Sequence, residues 1–223
     1  MLNGHWKNTV CIVADDNFLN TSIDPINHGR SAERIVNECF NDYFVSKCYL
    51  STFTIDEDGN HPNGKKFFFD RIKEGSLFSI FFGHGHHNQL TDEVFLNSND
   101  YPLFKNDSIP TMFFSFSCSN GAFHISTESS MCKQFLFTPQ GGCVIYFASP
   151  QVQYASTNEL YGIKIFKNFS SSSERSIGTI IQEATKLQTV PFNYYILGDP
   201  AIPTMKKKAS LSITAQTNGY REN

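Results

Sequence analysis

The stretch Leu77–Gly121 decides the fold. It holds two apolar runs, each cut off by a polar, turn-forming group. The first, Leu77-Phe78-Ser79-Ile80-Phe81-Phe82, breaks at Gly83-His84-Gly85-His86-His87. The second, Thr111-Met112-Phe113-Phe114-Ser115-Phe116-Ser117, breaks at Cys118-Ser119-Asn120-Gly121. Runs that are apolar at successive positions suit strands buried on both faces, as inside a parallel sheet. In such sheets ligands bind beyond the carboxyl ends of the strands. If the two runs are neighbours, a histidine and a cysteine enter one crevice, the arrangement that cysteine nucleophilic catalysis requires.

The pattern repeats outward from this stretch. Upstream, residues 8–14 form a β-rich run ending in Asp15-Asp16, and a polar loop follows through Asp24-Pro25. Ala32, Ile35, Val36, Cys39, Phe40 and Tyr43 then make one apolar helical stripe starting after Asn27. Residues 48–53 read as a second strand and 65–74 as a helix closed by Gly75. Residues 88–108 read as a short helix and a connection. Downstream, Ser129 or Ser130 caps a helix through Phe137, and residues 143–148 form a strand ending at Ser149-Pro150. Residues 157–169 read as a helix. Ser176 caps a last one, striped by Ile177, Ile180, Ile181, Ala184 and Leu187, before a short strand at 194–197. Strands alternating with helices imply right-handed crossovers and a layered α/β sandwich, with a mostly parallel central sheet flanked by helices.

Composition narrows the function classes. With 40% apolar and 17% charged residues among 223, the chain is a folded globule and not a disordered segment. A formal charge of -3 gives no electrostatic footprint for nucleic acid. The short Lys206-Lys207-Lys208 run reads as a solvated face or an exit from the domain. No apolar run reaches membrane-span length, and no charged-then-apolar signal segment follows Met1. The chain therefore reads as cytoplasmic, or as a mature or excised piece of a larger secreted protein. Of the cysteines, Cys11, Cys39, Cys48, Cys132 and Cys143 read as small buried hydrophobes, and none has Cys-x-x-Cys spacing.

Cys118 differs from these because the residues after it are turn chemistry. A nucleophile at a strand end keeps its own N–H available as an oxyanion donor, and its thiol needs a neighbouring base. His84 is flanked by Gly83 and Gly85, which tolerate close backbone approaches. The Gly85 N–H can then face a substrate carbonyl while the imidazole handles protons. Three histidines within four residues also suggest a metal, but no carboxylate or cysteine completes a ligand spacing nearby, which favours a Cys–His dyad. Asp15 and Asp16 end the first strand. Each is either a turn or capping residue or the acid that orients the His84 ring. Asp24 reads as the start of the turn at Pro25.

Several separated pieces point the same way. These are Phe82-Gly83-His84-Gly85, Phe116-Ser117-Cys118-Ser119-Asn120-Gly121-Ala122-Phe123, Met131-Cys132-Lys133-Gln134-Phe135-Leu136, the run from Gly142 to Ser149, and Leu197-Gly198-Asp199-Pro200-Ala201. In order, they resemble the gingipain family of cysteine peptidases, whose catalytic domain is caspase-like. Trp6-Lys7-Asn8 with Ala14-Asp15-Asp16 resembles the opening of members related to the type IX secretion sortase. The resemblance implies a peptidase catalytic subdomain over residues 6–204, with 205–223 a polar tail or the start of a following domain. It implies Cys118 as nucleophile, His84 as general base and acid, and the N–H groups of Gly85 and Cys118 as the oxyanion hole. The acid partner of His84 falls near Asp15 or Asp16. Asp24 falls near the aspartate that binds a basic side chain in arginine-specific members, and Ser149 and Tyr154 fall where substrate is bound.

The family chemistry requires no cofactor, although some members bind calcium, which would be structural here. Partners would be protein or peptide substrates, together with the preceding α/β subdomain of the typical family domain. Secretion or display at the cell surface as part of a longer precursor follows from the same likeness. An acid that family members often carry after the nucleophile is replaced by Lys133-Gln134. The expected activity is endopeptidase cleavage through a thioester. The alternatives are transpeptidation in a secretion system and a non-catalytic binding module of the same shape. A doubly wound ligand binder would leave the shared edge of Cys118 and His84 unexplained.

Overall fold

Each expected apolar run forms a strand in the computed structural model, which describes residues 4–16, 18–19, 22–24, 26–125, 130–171, 175–186 and 193–204. The tail from 205, with its lysine run, lies outside the described residues, as do Ser129, Leu187 and Pro25. The elements in chain order are β1 Thr9–Ala14, β2 Phe18–Leu19, β3 Ser22–Ile23, α1 His28–Cys39, β4 Phe44–Tyr49, α2 Pro62–Glu74, β5 Phe78–Phe82, β6 Gly85–His86, β7 Gln89–Leu90, β8 Leu96–Asn97, β9 Thr111–Phe116, α3 Met131–Phe137, β10 Cys143–Ala148, α4 Ala155–Ser171, α5 Ile177–Thr185 and β11 Tyr195–Gly198.

Six strands make the central sheet in the order β11-β10-β9-β5-β1-β4. All neighbours are parallel except β10 and β11. Two helices, α4 and α5, separate β10 from β11. One crossover helix returns a chain to the edge where the strand began, and a second carries it back, so β11 runs the opposite way. Alternate strand residues serve opposite faces. Val10, Ile12, Phe78, Phe114 and Ile145 pack with Ala32 and Ile35 of α1, Phe166 of α4 and Ile180 of α5. Cys11, Val13, Phe81, Phe113 and Tyr146 pack with Phe68 and Ile72 of α2 and Met131 and Phe135 of α3. Helix layers on both faces explain why the inner strands carry no polar stripe.

Three expectations change. Helix α1 stops at Cys39, so Tyr43 lies past its end although it still packs against the core. Strand β4 starts at Phe44 instead of residue 48, and residues 50–52 form a 3-10 turn. As an edge strand with Phe44 exposed, β4 lacks the continuous apolar signature. Residues 88–108 contribute β7 and β8 of a small three-stranded sheet, followed by a 3-10 helix, Ser98–Leu103. Two-residue strands leave no readable period.

Register fixes the level of the strand ends. Phe82 of β5 pairs with Phe116 of β9, and Ala14 of β1 pairs with Phe82. Asp16, His84 and Cys118 each stand two residues beyond these partners, on one carboxyl edge.

Candidate active site

His84 and Cys118 leave adjacent parallel strands at the same level and line one cavity of about 340 Å³, together with Gly85, Gln89, Thr91 and Asp92. The approach of the two chain segments is close. A Cβ on Gly85 would lie 2.5 Å from Ser117 Oγ and 2.8 Å from Ser117 Cβ, so only glycine fits beside the cysteine turn. A Cβ on Gly83 would lie 2.5 Å from Asp15 Cβ and 2.6 Å from the Phe81 ring. Ser119, directly after Cys118, has φ 52°, an uncommon left-handed backbone that turns the chain sharply off β9.

Asn120 ties the cysteine turn to the histidine loop. It is fully buried, its Nδ2 donates to the His86 carbonyl at 2.9 Å, and its Oδ1 accepts from the Tyr146 hydroxyl. From the sequence alone Asn120 reads as turn chemistry only. Gln153 was missed as well: its N–H donates to Cys118 Sγ at 3.4 Å, and its carbonyl accepts from Sγ at 3.5 Å. Cys118 itself is half-buried, whereas the other five cysteines are sealed.

The carboxylates divide differently from expectation. His84 Nε2 donates to Asp24 Oδ2 at 3.0 Å, so the ring meets Asp24 and neither Asp15 nor Asp16. Asp15 Oδ2 accepts the backbone N–H of His84 at 2.8 Å, and its Oδ1 accepts the N–H of Asp16 at 3.0 Å. Asp16 Oδ2 lies 3.3 Å from Nε2 of His61, with both side chains buried. The physical reason is direction. Ending a strand places an aspartate at the right edge, but Asp15 turns under the His84 backbone and Asp16 away toward α2. The loop after β1 then brings Asp24 back over the ring. Asp24, expected as a turn residue or as the anchor for a basic substrate side chain, already holds the Ile26 N–H at 2.9 Å and the His84 ring, with His28 Nε2 3.3 Å away.

Burial pushes the Asp15 carboxyl well above the ordinary range, against the pull of the His84 N–H. Burial also acts upward on Asp24, but the Ile26 N–H and the His84 ring outweigh it and hold that carboxyl below its usual value. Burial and the neighbouring His84 lower His28 to about 4.

Ser149 is fully buried. Its hydroxyl accepts from the Gln151 N–H at 3.1 Å and from Gln153 Nε2 at 3.0 Å, shaping the loop that reaches Cys118 and not lining the cavity. Tyr154, next to Gln153, is exposed. A larger hollow of about 820 Å³ lies between α1 and α4. It contains neither Cys118 nor His84, and its Arg34 is paired with Glu38 at 2.8 Å and Glu159 at 2.5 Å. No described helix is long and apolar enough to cross a membrane.

Solved structures share this architecture. The chain is similar to the Arg specific cysteine proteinase gingipain R (RgpB), with TM-score 0.72 and 15% identity, over 91% of this chain and 48% of that one. It is also similar to a complex of Porphyromonas gingivalis RgpB pro- and mature domains, with TM-score 0.63 and 14% identity, over 82% and 43% of the two chains. A third likeness, to a structure described only as a protease, has TM-score 0.59 and 9% identity, over 90% and 51%. The chain thus spans about half the length of the structures it matches. No curated protein matches it by sequence. The sequence model of peptidase family C25 matches residues 1–205, and the chain belongs to that family.

Proposed function

We propose that the protein is a cysteine peptidase that cleaves peptide bonds with Cys118 as nucleophile and His84 as its base. The observation that carries this reading is the Phe82–Phe116 register, which delivers a sulfur and an imidazole to one cavity. A carboxylate only accepts, so Asp24 assigns the proton to His84 Nε2 and leaves Nδ1 as the basic nitrogen. Nδ1 takes the Cys118 proton, and the thiolate adds to the substrate carbonyl. The N–H groups of Gly85 and Cys118 receive the oxyanion. Collapse breaks the C–N bond, and His84 returns the proton to the departing amine. Water, activated by the same nitrogen, then hydrolyses the thioester. If another amine accepts the acyl group instead, the product is a new peptide bond. A companion N-terminal part, as in the family's longer domains, completes the protein in this reading.

A preference for basic side chains rests on Asp92 and not on Asp24, which the Ile26 N–H and the His84 ring already occupy. Asp92 lines the cavity and brings a carboxylate to it. A lysine or arginine side chain would pair with that carboxylate. Peptides with Arg or Lys at the cleavage site should be cut best, and Asp92→Asn should erode that preference. Equal cleavage after neutral residues would remove it.

The primary test is Cys118→Ala, which should abolish hydrolysis without changing the fold; persistent hydrolysis overturns the proposal. Thiol labelling separates an active site from a mere structural relative. Burial pushes Cys11 and Cys39 up to about 12 and also raises Cys48, Cys132 and Cys143. Near neutral pH a thiol reagent should therefore modify Cys118 first. Labelling of Cys118 no faster than a free thiol at the same pH would favour a non-catalytic module.

A further inference from the structure

A second imidazole meets the His84 ring. His28 opens α1, four residues after Asp24, and is 5% exposed. Its Nε2 has no hydrogen-bond partner among the described residues and lies 3.3 Å from Asp24 Oδ2. His84 Nε2 lies 3.0 Å from that same oxygen, and the two rings meet edge to face with centroids 5.2 Å apart. One carboxylate oxygen of Asp15 and one nitrogen from each ring also lie within 4.8 Å of one another. Two imidazole nitrogens therefore flank one carboxylate oxygen, with a second carboxylate close behind. Ligand atoms bonded to zinc at 2.0–2.1 Å stand about 3.3 Å apart along the edge of a tetrahedron, a spacing that three atoms within 4.8 Å of one another reach by small side-chain rotations. Imidazole with carboxylate suits zinc-class ions, whereas calcium takes oxygen ligands almost throughout.

We propose that His28, His84 and Asp15, with Asp24 beside both rings, form a binding site for a zinc-class divalent cation whose occupancy switches the peptidase off. Binding displaces any proton on the ligating nitrogens and carboxylate oxygen, and it passes to solvent. The ring nitrogens and the carboxylate oxygen supply the electron pairs. With a dication on one nitrogen, the His84 ring resists a further proton on the other and cannot take up the one that Cys118 must lose. Only the switching rests on the peptidase reading; the binding does not.

The test separates these two parts. In the Cys118→Ala protein no cleft thiol can ligate metal and no turnover interferes. Zinc titrated against a chromogenic chelator should bind this protein at one strong site, calcium should not compete, and cobalt should give the visible absorption of a tetrahedral ion. His28→Gln should weaken zinc at least about tenfold, the smallest cost found even for outer partners of a metal ligand. His84→Gln should do the same. His28→Cys, which restores a ligand atom, should recover much of the affinity and carries the test if the glutamine variant misfolds. Absence of a strong zinc site, or zinc affinity unaltered by both the His28 and His84 substitutions, overturns the site. In the Cys118 protein, zinc should inhibit hydrolysis and a chelator should restore it. Full activity with zinc bound overturns the switch but not the site. A protein that hydrolyses no peptide fails the peptidase reading, while the titration still decides the metal.

Discussion

The end of β1 and the loop that follows it both bring aspartates to the carboxyl edge of the sheet, and they serve His84 in different ways. Asp15 holds the backbone of His84 from below, whereas Asp24, from the loop, holds its ring. Asp16 does neither and pairs with His61. A place at the right edge therefore does not determine which carboxylate reaches the imidazole. The direction of each side chain decides that, and a loop residue can outreach a strand-end residue.

Removing the carboxylates one at a time separates their roles. Asp24→Asn should lower kcat/KM by about a hundredfold or more, because the amide can donate to Nε2 and favour the wrong tautomer. If Asp16→Asn had that effect and Asp24→Asn did not, the assignment would reverse. Asp15→Ala should act on stability, because it leaves the buried N–H groups of His84 and Asp16 without an acceptor. The expected loss is about 1–3 kcal/mol in denaturant unfolding, reduced in Asp15→Asn, which keeps an acceptor oxygen.

Burial raises the folded-state pKa of Asp15 above the ordinary 3.8, so its stabilising contribution is complete below pH 3.8 and is lost as pH rises through the folded value. Asp15→Asn does not titrate and should gain on the unsubstituted protein as pH increases from 4 to 8. Gly85→Ala probes the approach of the two loops. Its methyl would press on Ser117, and overpacking of this kind costs about 1–3 kcal/mol, measurable as a lower Tm. The smallest effect should come from Asp16→Asn, which should alter kcat/KM by no more than a few-fold. A large loss there would place the Asp16–His61 pair in the chemistry.

Much of this molecule is legible in its residues. Apolar runs ending in Gly-His-Gly and Cys-Ser-Asn-Gly marked β5 and β9, and uninterrupted apolarity marked them as interior strands. The stripe starting after Asn27 marked α1, with Asn27 Oδ1 accepting the Arg30 N–H at 2.8 Å as its cap. Ser176 capped α5 as read, accepting from the Thr179 N–H at 3.3 Å. Such features are local: a period, a cap or a turn residue acts within a few positions of itself. The structure alone decided that β5 and β9 are neighbours with Phe82 level with Phe116, because pairing between strands joins residues far apart in the chain. It also decided that Asp24 and not Asp16 meets the ring, that His28 touches it edge to face, and that Ser149 shapes a loop instead of lining the cleft. Side-chain direction in a non-repeating loop depends on what folds against it, and no periodicity in the sequence records that.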